Sequence, residues 1–314
     1  MSVELFDEAS GLAFCRHLSS AAVLGAPATY VVLAHGLGCS KKWFSVRSQL
    51  SAAELAALPE SALGSDVSWI VPDLLGFGSS RKAATRDELD MTAQGRRLFD
   101  LVARLVQPHD SVVCVGHSMG GPVAVAFAEA HLQTPVRRFQ LRALLIAEGN
   151  IDEDDCFGSG KIAAQSFDTY AATFNAKLAN DLAAFEAAQH DAAALFKLAR
   201  GEPANDPKQV EANGAATMHG SSAALVAVSK HATMIPRLLA LCSASVPLVF
   251  IIGEKNRGVY TSERAIRDAG MAQREVSPSS PAQPGDIAFV PNCGHGMHYD
   301  APTEFWRTIA EILV

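Results

Sequence analysis

SVVCVGHSMGG, residues 111–121, joins a short apolar run to a glycine-rich turn, and a helical pattern through Val123, Phe127 and Ala130 follows it. The run is rich in valine and apolar throughout, as expected of a strand buried on both faces of a parallel sheet. Within it, Gly116-His117-Ser118-Met119-Gly120 has G-x-S-x-G spacing, with a third glycine at Gly121. A serine on so sharp a strand-to-helix turn needs glycine neighbours, because side chains there would collide with nearby backbone. The turn lifts the Ser118 hydroxyl clear of the sheet, at the positive end of the next helix. The plainer alternative is an ordinary helix N-cap serine.

The same grammar recurs on either side. Thr29–Ala34 (TYVVLA) stops at His35-Gly36-Leu37-Gly38, and residues 67–71 (VSWIV) stop at Pro72-Asp73. Residues 141–147 (LRALLIA) stop at Glu148-Gly149-Asn150, and residues 248–252 (LVFII) at Gly253. Asp286–Val290 (DIAFV) leads into Pro291-Asn292. Helical periodicity fills the intervals: Met91, Gly95, Leu98, Val102 and Leu105 share one face. A last helix is expected with Asp300 as N-cap, Pro302 in its first turn, and Phe305, Ile309, Ile312 and Leu313 as its apolar stripe. Strands alternating with helices predict an α/β fold built on a parallel sheet.

Residues 150–235 contain no convincing strand. They read as helices, with Leu182, Phe185, Ala188, Ala192, Leu195, Phe196 and Ala199 along one face. Inserted between two strands, such a segment would lie over the carboxyl ends of the sheet, where open α/β sheets bind ligands. The expected organisation is a core of residues 1–149 and 236–314 with a cap over residues 150–235. A purely structural insertion is the alternative.

Composition narrows the partners. At 314 residues and 49% hydrophobic, the chain can bury a large core. A formal net charge of −7 speaks against a nucleic-acid-binding face. Cys15, Cys39, Cys114, Cys156, Cys242 and Cys293 lie far apart, with neither a disulfide framework nor metal-site spacing. The N-terminus carries acidic residues and no basic stretch before a long apolar run, and no apolar run is long enough to span a bilayer. The expectation is a cytoplasmic protein with a small-molecule substrate, no nucleic acid and no membrane span; homodimerisation is left open.

GHSMGG at 116–121, HGLG at 35–38 and DLLGFGSS at 73–80 together resemble the α/β-hydrolase superfamily. The likeness runs over nearly the whole chain and is weakest across the expected cap. It implies an α/β-hydrolase fold: a mostly parallel sheet of about eight strands flanked by helices, with an inserted helical cap. A tetrahedral intermediate needs aimed N–H donors for its oxyanion, and the resemblance assigns these to the backbone of Met119 and Leu37. It makes His35 a brace for the loop. It also makes His295, between two glycines in Asn292-Cys293-Gly294-His295-Gly296-Met297-His298, the base that Ser118 requires. His298 reads as a loop or pocket-lining residue, and His117 as pointing elsewhere.

The third member departs from the common pattern. Superfamily members usually carry their acid as G-x-x-D after the next-to-last strand, and here that segment reads Gly253-Glu254-Lys255-Asn256. Asparagine can accept the histidine N–H but brings no charge. Some members, including a branch of the haloalkane dehalogenases, instead carry a Glu at the strand end occupied here by Glu148. The order Ser118, Glu148, His295 keeps the superfamily's sequence of roles. Glu148 is therefore the preferred acid, with Glu254, Asp152, Asp154 and a weakened triad through Asn256 as rivals. A buried structural carboxylate is the simpler reading of Glu148.

The dehalogenase likeness stops short of the chemistry. Those enzymes, like epoxide hydrolases of this fold, attack with a carboxylate at the elbow, whereas a serine stands here. A serine suits acyl transfer through an acyl-enzyme. Together with an Ala-, Leu- and Phe-rich cap, this predicts a serine hydrolase of a small to medium, uncharged carboxylic ester, or a related thioester or lactone. Neither metal nor organic cofactor is implied. The alternatives are an acyltransferase or perhydrolase using the same intermediate, a ligand-binding protein on a hydrolase scaffold, and a cofactor-independent oxygenase.

Overall fold

The computed structural model describes residues 3–44, 67–188, 207–271, 274–275 and 285–313. Eight strands form one sheet in the order β1-β2-β4-β3-β5-β6-β7-β8. These are β1 Val3–Asp7, β2 Leu12–His17, β3 Thr29–Ala34, β4 Val67–Pro72, β5 Ser111–His117, β6 Gln140–Ala147, β7 Leu248–Gly253 and β8 Asp286–Val290. The pairings β1–β2 and β2–β4 at one edge are antiparallel, and the other five are parallel. The expected mostly parallel sheet is thus present, with an N-terminal hairpin in addition.

The continuous apolarity of the central strands has a direct cause. Successive strand residues face opposite sides, and each side meets its own core. Tyr30, Val32, Val112 and Cys114 join one cluster, while Val31, Leu33, Val113 and Val115 join the other. The first cluster takes up the stripe of helix α1, Met91–Leu105, and nearly the whole circumference of helix α2, Gly120–Gln133. Asp90 caps α1 by accepting from Thr92 and Ala93 N–H.

Between β6 and β7 the described residues hold helices and turns only: α3 Phe157–Ala163, α4 Phe167–Ala188, α5 Pro207–Val228 and α6 His231–Ser243. Leu182, Phe185 and Ala188 fall on α4 as expected; Ala192, Leu195, Phe196 and Ala199 lie outside the described residues. Helix α6 continues across residue 235, where the cap was expected to end. Helix α7 spans Thr261–Asp268, and α8, Pro302–Leu313, closes the second core with Phe305, Trp306, Ile309 and Ile312.

One boundary needs correcting. Asp300 does not cap α8; it ends a single turn, Met297–Asp300, whose backbone bonds run back to Gly296, and Ala301 intervenes before Pro302. Among the described residues no single helix is long and apolar enough to cross a membrane.

Candidate active site

Strands β3, β5, β6, β7 and β8 deliver their ends to one rim of the sheet, and each expected site residue lies there. Ser118 follows β5 directly and has φ 53°, a left-handed conformation uncommon outside glycine. Its N–H donates to the Ala147 carbonyl at 3.1 Å, and its carbonyl accepts from Gly121 N–H at 2.8 Å. The glycines around it are there for space. A Cβ at Gly116 would sit 2.1 Å from the Gly120 oxygen, and one at Gly120 would sit 2.1 Å from the Ala34 oxygen. β5 and α2 can meet at this angle only without side chains there.

The loop after β3 passes over Ser118. A Cβ on Gly36 would lie 3.1 Å from Ser118 Cβ. His35 holds this loop: its Nε2 accepts from Leu74 N–H at 3.0 Å, so the ring proton is on Nδ1, which donates to the Gly36 carbonyl at 2.8 Å. Burial pushes the His35 pKa below its ordinary value, which keeps the ring neutral and this pattern intact. Leu37 is half-buried, Met119 is fully buried, and neither backbone N–H has an acceptor among the described hydrogen bonds. Met119 follows Ser118 in the chain, and Leu37 follows Gly36, which closely approaches Ser118.

Glu148 directly follows β6 in a second left-handed position, φ 41°, with a fully buried carboxylate. Oε1 accepts from Gly253 N–H at 2.8 Å and from Asn256 Nδ2 at 2.9 Å. Oε2 accepts from Asn256 Nδ2 at 2.9 Å and from His295 Nδ1 at 2.9 Å. All of these donors suit an ionised carboxylate, which can only accept. The bond from Nδ1 fixes the His295 tautomer and leaves Nε2 as a lone-pair acceptor.

Asn256 holds the position to which the resemblance assigns the common acid, and it touches Glu148 through its amide nitrogen. It is a donor to the carboxylate, a relation that its place in the sequence does not disclose. The rivals for the acid have other occupations. Glu254 and Asp154 are exposed, and Asp152 caps a short turn by accepting from Asp154 N–H while lying 3.5 Å from His231.

Two further histidines pack behind His295. His117 donates through Nε2 to the His295 carbonyl at 2.8 Å, and burial pushes its pKa down to about 3. His298 sits in the single turn Met297–Asp300. It is wholly buried, with ring centroids 4.5 Å from His117 and 5.0 Å from Phe44, and burial holds its pKa well below the ordinary value. Both rings stay neutral and act as packing beneath the loop that carries His295.

Ser118 and His295 are not joined by a hydrogen bond among the described residues. The Ser118 hydroxyl donates instead to Asn150 Oδ1 at 3.3 Å. Asn150 went unrecognised as a site residue; its position two residues beyond Glu148 was the available clue. Helix α5 lies across this rim. Asn213 Nδ2 donates to the Gly38 carbonyl at 2.9 Å, and its Oδ1 accepts from Gly78 N–H at 3.2 Å. Thr217 Oγ1 donates to the Gly76 carbonyl at 3.3 Å. Among the described residues no group of three or more His, Cys, Asp or Glu side chains is arranged to hold a metal ion.

Residues 31–308 match a family described as the Alpha/beta hydrolase family. No curated protein matches the chain. Solved structures similar over full length include a laboratory-evolved variant of potato epoxide hydrolase, at 15% identity and TM-score 0.62, covering 100% of this chain and 99% of that one. A thioesterase domain from the curacin biosynthetic pathway gives 17% identity and TM-score 0.56, over 98% and 99% of the two chains. An esterase from Exiguobacterium antarcticum gives 16% identity and TM-score 0.53, over 98% of each chain. At such identities the likeness concerns the fold.

Proposed function

The chain belongs to the alpha/beta hydrolase family, and from that premise we propose that it is a serine hydrolase that cleaves a small to medium, uncharged carboxylic ester through an acyl-enzyme. Ser118 is the nucleophile, His295 the base, Glu148 the acid partner of His295, and the Leu37 and Met119 N–H groups stabilise the oxyanion. The observation that carries the reading is the 2.9 Å contact between Glu148 Oε2 and His295 Nδ1, made at the rim where Ser118 is held in a left-handed turn.

Each step follows from these groups. The Ser118 hydroxyl turns from Asn150 toward His295 Nε2, an alignment that commonly tightens only once substrate is bound. Nε2 takes the proton as Oγ attacks the carbonyl carbon, and the buried Glu148 carboxylate stabilises the resulting imidazolium. Negative charge on the former carbonyl oxygen meets the two backbone donors. His295 then returns the proton to the departing alcohol, and water repeats the sequence to release the acid. No cofactor enters these steps.

Serine at the elbow sets the reading apart from epoxide opening, which in this fold uses a carboxylate nucleophile. The test is a series of p-nitrophenyl esters of rising acyl length, assayed on the wild type and on Ser118→Ala. Release of p-nitrophenol that peaks at one chain length and vanishes in the variant supports the reading. Release that persists undiminished in Ser118→Ala overturns it.

A further inference from the structure

Asn150 is buried just past the end of β6, and its side chain is held at both ends. Nδ2 donates to the Asp155 carbonyl at 3.0 Å, which sets the orientation of the amide and points Oδ1 at Ser118. Asp155 is anchored in turn, since its carboxylate accepts from Thr261 N–H at 2.9 Å and from Ser262 N–H at 2.5 Å. The Asn150 backbone is tied down as well: its N–H donates to the Ser118 carbonyl at 3.3 Å, and its carbonyl accepts from the Ser229 hydroxyl at 2.8 Å. The carboxamide cannot turn over without breaking its bond to Asp155. Oδ1 is therefore a fixed acceptor, and its donor is the nucleophile's own hydroxyl.

Catalysis takes that donor away: the hydroxyl turns to His295 when substrate binds, and acylation then keeps it from returning. Oγ bonds to the carbonyl carbon, its proton passes through His295 to the departing alcohol, and the bond to that alcohol breaks. What remains beside Asn150 is an ester oxygen without hydrogen. A buried acceptor deprived of its donor bears the full cost of its lost hydration. A donor on the alcohol side cannot make this good, because it departs with the alcohol. A donor on the acyl side can. A hydroxyl or N–H on the carbon adjacent to the carbonyl is separated from Oγ by only two carbons, within reach of an acceptor that already contacts Oγ.

We infer that the substrate's acyl group carries a neutral hydrogen-bond donor, a hydroxyl or an N–H, on the carbon next to the scissile carbonyl, and that Asn150 Oδ1 recognises it. The inference rests on the acyl-enzyme reading of Ser118 and narrows it from uncharged esters to α-hydroxy and α-acylamino esters. Sites built around a buried hydrogen-bonding group discriminate strongly against analogues that lack the matching group.

The experiment compares the ethyl esters of butyrate, 2-hydroxybutyrate and 2-methoxybutyrate by acid release in a pH-stat, with each enantiomer assayed separately. The methoxy group keeps the electron withdrawal of the hydroxyl and removes its proton. In the wild type, kcat/KM for one enantiomer of the hydroxy ester should exceed that of the methoxy ester by about tenfold to a hundredfold. In Asn150→Leu that ratio should fall to within about threefold; being internal, the ratio is independent of how much activity the variant retains. Equal turnover of hydroxy and methoxy esters by the wild type would overturn the inference even if the variant failed to fold. So would a preference that survives in Asn150→Leu. Failure of all three esters, or their hydrolysis by Ser118→Ala, would instead strike at the acyl-enzyme reading and remove the inference with it.

Discussion

Glu148→Gln exchanges one buried oxygen for an NH2 group at almost constant volume, so its effect can be worked from the hydrogen bonds alone. The carboxylate receives Gly253 N–H and Asn256 Nδ2 on Oε1, and Asn256 Nδ2 and His295 Nδ1 on Oε2. A glutamine offers one acceptor oxygen. Placed toward Gly253, whose N–H is fixed by the end of β7, that oxygen keeps its backbone bond, and the NH2 group then faces His295. The ring can accept from it only by moving its own proton from Nδ1 to Nε2. A proton on Nε2 confronts Ser118 with a donor, so the base is lost along with the charge. The same tautomer inversion in the best-studied serine triad costs about four orders of magnitude in kcat, or roughly 5 kcal/mol of barrier. Asn256→Ala removes one neutral donor and leaves both the carboxylate and the Gly253 bond in place, so its loss should be about tenfold. The assay is kcat and kcat/KM on the best p-nitrophenyl ester, with thermal unfolding to confirm that both variants fold. The reasoning is refuted if Glu148→Gln stays within about tenfold of wild type, or if Asn256→Ala loses as much as Glu148→Gln does.

Three further outcomes follow from the geometry. The pKa values of His35, His117, His131 and His298 are depressed by burial, to about 3 for His117 and about 4 for His131. Below pH 6.5 the unfolded chain binds protons that these folded sites refuse, so stability should fall as pH drops, by roughly 2 kcal/mol for His117 alone between pH 6.5 and 5. Urea midpoints across that range would show it, and His131→Leu should flatten the slope; a midpoint independent of pH would refute the depression. Gly36→Ala places a Cβ 3.1 Å from Ser118 Cβ. It should lower kcat by about tenfold or more through displacement of the nucleophile, with unfolding temperature little changed. Asn213→Ala strips the Gly38 carbonyl and Gly78 N–H of their partner. It should cost about 1–3 kcal/mol of stability in urea and lower kcat more than it raises KM.

Six of the eight strands could be read directly, because a strand buried on both faces leaves an uninterrupted apolar run. β1 and β2 could not. They form an antiparallel edge whose β1 is largely exposed, and VELFD and LAFCRH carry mixed polarity over too few residues to stand out. The place of Glu148 at the rim was reachable by counting strand ends, since each parallel strand presents its carboxyl end to the same rim. Its partners were not. That Asn256 donates to Glu148, that His117 holds the His295 carbonyl, and that Asn150 accepts from Ser118 all depend on how loops fold back across the rim, and residue spacing does not encode this. His298 looked available because it lies three residues from His295. The single turn Met297–Asp300 rotates it into the core instead, and the same turn displaced the expected helix cap from Asp300.

The most direct test is reaction with an alkyl fluorophosphonate, which phosphonylates a serine only where a base and oxyanion donors activate it. The wild type should take up one adduct, mapped by peptide mass to Ser118, with none in Ser118→Ala and a much slower reaction in Glu148→Gln. An enzyme that stays unmodified under conditions that label known serine hydrolases, or that is labelled elsewhere with Ser118 intact, would contradict the assignment of Ser118 as nucleophile.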